Sequence, residues 1–157
     1  MEILIFIAII ILLYIGYTDF KYYTISNTQI LSMLLLYIIW KIFYYDEYLR
    51  LDLEVGFVLF IIGFVAWLAK GIGAGDAKLF FVAGIFSGYQ YAVYFAIFLL
   101  ISGLIFILLM LIVTQINHMP IVLFGRLIEI GKTKKVPYGV VLAVSTIGAL
   151  IVRLNTS

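Results

Sequence analysis

The chain has 157 residues, of which 66% are hydrophobic and only 11% charged, whereas about a quarter of an ordinary soluble domain is charged. Ten Lys and Arg against eight Asp and Glu leave a formal charge of +2, too small to draw nucleic acid, and the absence of cysteine removes disulfides, thiolate catalysis and cysteine-held zinc. A water-soluble fold is excluded, and with a single histidine no metal site is expected.

Unpaired backbone polar groups are costly in hydrocarbon, so each long apolar run must be a helix or a strand of a closed barrel, and continuous rather than alternating runs favour helices. An all-α membrane protein with six transmembrane helices is predicted, at residues 3–17, 30–45, 55–69, 77–87, 91–116 and 137–152. Without repeats, low-complexity tracts or a long linker, residues 1–157 read as a single polytopic membrane domain. The first run carries Glu2 where a secretory signal carries basic residues, and no small-residue cleavage box follows it, so it is expected to be retained. The fourth run is short: at about 1.5 Å per residue it reaches roughly half of a bilayer, so the helix is short, bent or sunk inside the bundle. Tyr14, Tyr17, Tyr37, Tyr44, Tyr45, Tyr89 and Tyr91 fall near the span ends, where rings with apolar bodies and polar tips serve as interface anchors. Residues 121–131, broken by Gly125, Arg126 and Glu129, suit a short helix lying in the interface. Beside it, Lys132, Lys134 and Lys135 either touch anionic headgroups or simply mark topology.

Orientation follows from counting cations in alternate connections. With the N-terminus outside, Lys21, Lys70, Lys78, Arg126, Lys132, Lys134 and Lys135 are cytoplasmic, and Lys41, Arg50 and Arg153 are not. The majority favours that orientation and makes the connection over residues 46–54 net acidic and external.

Two carboxylates then fall on one membrane face: Asp19 at the end of the first span and Asp76 at the start of the fourth. An ionisable residue at the membrane boundary is a functional candidate by default. The competing reading is that each caps a helix end or pairs with a nearby cation, Lys21 for Asp19 and Lys78 for Asp76. Asp76 ends a run in which Gly71, Gly73 and Gly75 alternate. Such glycines permit positive φ and close approach of an extended peptide, or they pack helices or form an ordinary turn. The spacing lacks the dinucleotide-binding pattern. Two carboxylates brought within a few ångströms share a proton, so one acts as base while the other remains an acid, the requirement of aspartic proteolysis. His118 has no credible serine partner for the other hydrolytic route.

Three stretches carry a resemblance: Asp19-Phe20-Lys21-Tyr22-Tyr23-Thr24-Ile25-Ser26-Asn27, Gly73-Ala74-Gly75-Asp76-Ala77-Lys78-Leu79 and Val136-Pro137-Tyr138-Gly139. In this order, on six spans, they resemble the type IV prepilin peptidase family, membrane aspartyl proteases with a Gly-x-Gly-Asp motif. Ser26 stands where that family has Pro, and Ser26 or Asn27 is expected to cap the next helix instead. The resemblance implies that Asp19 and Asp76 are the catalytic dyad, that Gly73, Gly75 and Lys78 shape the site or hold substrate, and that no cofactor is needed. Lys78 either tunes Asp76, orients it or anchors the helix. The implied substrate is a prepilin or prepilin-like protein, cut at the cytoplasmic boundary of a plasma (inner) membrane, between a short basic leader and an apolar helix. Lacking cysteine pairs, the chain is expected to be a short protease-only form without a methyltransferase domain. Presenilin-type proteases share the Gly-x-Gly-Asp carboxylate, but here Thr18 precedes Asp19 and Val136-Pro137-Tyr138 replaces their Pro-Ala-Leu. From another class, a noncatalytic transporter or membrane assembly subunit would use the carboxylates to carry ions or cap helices, yet paired broken helices are missing.

Overall fold

A computed structural model describes residues 2–44, 47–115 and 136–156. The expected interfacial segment over residues 121–131, Arg126, Lys132, Lys134, Lys135, His118 and Tyr45 lie outside them. The described residues are helical, without strands: α1 (Glu2–Tyr22), α2 (Asn27–Phe43), α3 (Leu49–Leu68), α4 (Ala74–Gln115) and α5 (Tyr138–Thr156). Among them α1, α3, α4 and α5 are long and apolar enough to cross a membrane, and α2 is a shorter apolar helix. The fourth and fifth expected segments are the two arms of α4, parted at Gly88, whose φ of 69° and ψ of 171° are not helical.

The break folds α4 back on itself. Its first arm, residues 74–87, runs antiparallel to α3. A Cβ on Gly63 would meet Ala77 and Phe80, whereas one on Gly84 would lie 2.6 Å from the Cα of Gly56. Small residues let these two backbones approach far closer than side chains would allow, the usual device where lipid supplies no hydrophobic drive between helices. The second arm returns along α5: Tyr91 bonds Thr156 at 2.8 Å, Ser102 bonds Ser145 at 3.0 Å, and Phe106 packs on Val141. The first arm is sunk inside the bundle, with Leu79, Val82, Ala83, Ile85, Phe86 and Ser87 all buried. At about 1.5 Å per residue it is only about 21 Å long.

At the Gly88 end a polar network lies inside the helices. Asp52, 2% exposed, pairs with Lys41 at 2.7 Å and accepts from the Tyr37 hydroxyl at 3.3 Å and the Tyr89 amide at 2.8 Å. Gly88 is required here twice over: its φ is positive, and a Cβ would sit 2.7 Å from Asp52 Oδ1. Two expectations are corrected by this network. Asp52 is buried in the first turn of α3, which starts at Leu49 and so takes in much of the acidic connection expected over residues 46–54. Tyr37, 4% exposed, is an internal hydrogen-bond donor rather than an interface anchor, because Asp52 needs it. Tyr14, Tyr17, Tyr44 and Tyr89 keep exposed rings.

Candidate active site

The buried stripe of α1 runs Ile5, Ala8, Leu12, Ile15 and then Asp19, a spacing of three and four residues that holds one helix face. Asp19 is therefore the next residue of the inward stripe and turns into the bundle, where it is 4% exposed. Facing it is the N-terminus of α5, which runs antiparallel to α1. Gly16 lies against Ala143 and Val140, and Gly139 lies against Asp19. The start of α5 borders the Asp19 carboxylate, since a Cβ on Gly139 would lie 2.8 Å from Asp19 Oδ2, while the Val140 amide donates to Pro137 O at 3.2 Å. The start of a helix is the positive end of its dipole, so an acid beside it is favourably placed. The proline and glycine of Pro137-Tyr138-Gly139 suit this junction: Pro137 precedes the first helical residue, where a missing N–H costs nothing, and Gly139 leaves room for the carboxylate.

Asp76, 8% exposed, is set by the start of α4. Gly73 takes the N-cap place, since its carbonyl accepts the first helical bond from Ala77 at 3.2 Å. The Asp76 side chain reaches back to accept the Gly73 amide at 2.9 Å, which is the return half of a capping box. That explains the three-residue interval between Gly73 and Asp76. The preceding helix α3 is closed by a Schellman arrangement, with Gly71 N–H to Ala66 O at 2.9 Å and Lys70 N–H to Trp67 O at 2.8 Å. Lys70, with φ of 60°, occupies the left-handed position there. Hence the alternate glycines do not serve positive φ. What Gly73 and Gly75 contribute is a missing side chain: a Cβ on Gly73 would lie 3.2 Å from Asp76 Oδ2, and one on Gly75 would lie 3.0 Å from the Cβ of Ile25.

Both carboxylates line one open pocket of ≈ 240 Å³, shared with Tyr23, Thr24, Ile25, Gly73, Ala74 and Gly75. They lie within electrostatic reach of each other, and Gly139 lies against Asp19. One oxygen of each, Oδ2 of Asp19 and Oδ1 of Asp76, is buried without a hydrogen-bond partner among the described residues. A pair of clustered carboxyl groups, each with a spare oxygen on a pocket, can exchange protons with a molecule held between them. No group of three or more His, Cys, Asp or Glu able to hold a metal ion occurs among the described residues.

Sequence reasoning placed Asp19, Asp76, Gly73 and Gly75 here, and all four line this pocket or lie beside it. Lys78 stands apart, its ammonium donating to Asn27 Oδ1 at 2.8 Å and so tying the first turns of α4 and α2 together. Ser26 caps α2 through a full capping box with Gln29, as expected for the residue in the proline's place. Gln29 in turn donates to Thr18 Oγ1 at 2.9 Å, next to Asp19. Gly139 and Ile25 were not singled out for the site. The one available signal for Gly139 was a glycine just after a proline at the start of an apolar run.

Gly139→Ala would place a methyl carbon 2.8 Å from Asp19 Oδ2 and 2.8 Å from Ile25 Cδ1, so overpacking should cost about 1–3 kcal/mol. Gly16→Ala on the same helix pair meets Ala143 at an ordinary 3.6 Å and should be neutral or stabilising by up to about 1 kcal/mol, the helix preference for Ala. Denaturant titration of both variants in detergent, with helicity as readout, checks the opposite signs.

A sequence model of the type IV leader peptidase family matches residues 6–112, a stretch that contains Asp19 and Asp76 but ends before Pro137-Tyr138-Gly139. No curated protein and no solved structure gives a match.

Proposed function

The chain belongs to the type IV leader peptidase family, a multi-pass membrane peptidase family, and we propose that it is an aspartic endopeptidase whose catalytic pair is Asp19 and Asp76. Its substrates are type IV prepilins or prepilin-like proteins, from which it removes a short basic leader. The observation that carries the reading is the single pocket holding both carboxylates, each with one oxygen left for another molecule. In the reaction, the ionised carboxylate draws a proton from a water as its oxygen attacks the scissile carbonyl, and the protonated carboxyl gives its proton to the carbonyl oxygen. The resulting diol collapses as a proton passes to the leaving amine, so the roles of the two groups reverse and the pair is regenerated. Gly73, Gly75 and Ala74 present bare or nearly bare backbone along one wall, where an extended peptide has room to lie.

In the membrane, α2 and both arms of α4 cross together with α1, α3 and α5, giving six passes with the N-terminus outside. The pocket then faces the cytoplasm, on the side richer in Lys and Arg. The arrangement supports the reading because Asp19, the start of α4 and the start of α5 all lie at one end of the bundle, opposite Gly88 and Asp52. The test is cleavage in liposomes of a peptide with a basic leader, a Gly before the cut and an apolar helix after it, followed by mass spectrometry. Loss of the leader at that one bond is expected. A substrate left whole by the native chain would overturn the peptidase reading in favour of a noncatalytic membrane subunit.

A further inference from the structure

Between α1 and α2 the chain crosses the pocket as a short strap. Tyr23 is left-handed, with φ of 53°, and the strap ends at the capping box of Ser26. Both ends of the strap are fixed: the Tyr23 amide bonds Asp19 O at 2.8 Å, and the Ser26 amide bonds Gln29 Oε1 at 2.8 Å. Ile25, half-buried against the core, is the strap residue that touches both sides of the site. Its Cβ and carbonyl lie against Gly75, where an added Cβ would come within 3.0 and 3.3 Å of them. Its Cδ1 lies against Gly139, where an added Cβ would come within 2.8 Å. Gly75 directly precedes Asp76 in the chain, and Gly139 lies against Asp19, where an added Cβ would come within 2.8 Å of Oδ2. Thus one side chain is wedged between the backbone that carries Asp76 and the backbone that lies against Asp19.

We infer that Ile25 is a positioning residue: its side chain is the spacer that sets the separation of Asp19 and Asp76 across the pocket. A β-branched side chain is suited to this role because its χ1 is stiff, so a fixed strap transmits a fixed width. The two glycines are the complementary half of the device, since any Cβ on either would collide with the spacer and shift one acid relative to the other. The inference rests on the peptidase reading and adds that the α1–α2 strap, not only the two helix ends, determines the catalytic geometry. Valine retains the branched Cβ that meets Gly75 but lacks the Cδ1 that meets Gly139. Alanine loses both.

The test is steady-state cleavage of the same leader peptide in liposomes by the native chain, Ile25→Val and Ile25→Ala, with thermal unfolding to give the folded fraction. A misplacement of about 1 Å in a reacting constellation can cost roughly 100-fold. We therefore expect kcat per folded molecule to fall by at least about tenfold in Ile25→Ala, with KM within about twofold and Ile25→Val recovering part of the loss. Unchanged kcat, or a rise in KM alone, would overturn the inference while leaving the peptidase reading intact, since Ile25 would then only line the pocket. If Ile25→Ala does not fold, Ile25→Val decides by the same criterion. A native chain that leaves the peptide whole overturns both.

Discussion

Asp19→Asn and Asp76→Asn are each expected to abolish leader cleavage, with losses in kcat of at least about 10³-fold, near the upper range for removing a positioned acid or base. The substitutions are conservative in geometry. An Asn at 76 keeps an oxygen to accept the Gly73 amide, now held at 2.9 Å, and an Asn at 19 has the same shape as the carboxylate beside Gly139. Folding should therefore survive while proton exchange does not. Because the two acids act as one unit, the double variant should be about as inactive as either single one, rather than showing the product of two losses. Mass spectrometry of the peptide product, with helicity measured in the same samples, checks both statements. Cleavage that persists in either single variant would remove that residue from the dyad.

Lys41→Met is expected to be the most damaging single change to stability, at about 3–5 kcal/mol, because it strands a buried carboxylate. Asp52 is 2% exposed and pairs with Lys41 at 2.7 Å. Its remaining partners, the Tyr37 hydroxyl and the Tyr89 amide, are neutral and cannot offset a full charge. Asp52→Asn should be milder. It retains an acceptor for Tyr89, and the long stem of Lys41 lets its ammonium move toward the polar end of the bundle. Combining Lys41→Met with Asp52→Asn should restore part of the stability lost in Lys41→Met alone, a coupling that a double-mutant cycle reads directly. Denaturant unfolding of the four proteins in detergent gives the cycle, and a double-variant cost equal to the sum of the two single costs would show that the pair is not coupled.

These two networks lie at opposite ends of the bundle and differ in how far they could be read in advance. The Gly73-to-Asp76 interval is legible because it is local: one turn of chain contains the cap, the amide and the acid that accepts it. The same holds for Ser26 and Gln29, whose capping box lies within a single turn. The Lys41–Asp52 pair is not legible in that way, because its partners come from three helices and the sequence alone places Asp52 in a polar connection. The role of Gly88 was hidden for a related reason. The break itself is legible, because Gly88-Tyr89-Gln90 parts the fourth and fifth expected segments, but only the carboxylate pressed against its Cα and its positive φ show why glycine is needed there.

Residence in the membrane, the helical class, the one-sided placement of two carboxylates and the family resemblance were all determined by the sequence, since each depends on composition or on residues within a few positions of one another. Which faces of those helices meet was decided by the tertiary structure alone. In α1, Ile5, Ala8, Leu12 and Ile15 are buried, while Ile3, Phe6, Ile10 and Leu13 are exposed, and both sets are equally apolar. In water a polar face would mark the outside of a helix; lipid is as apolar as the core, so hydropathy carries no sign of which stripe turns inward. Only packing against α5 turns the stripe that ends in Asp19 toward Gly139, and only the hairpin of α4 brings Asp76 to the same pocket.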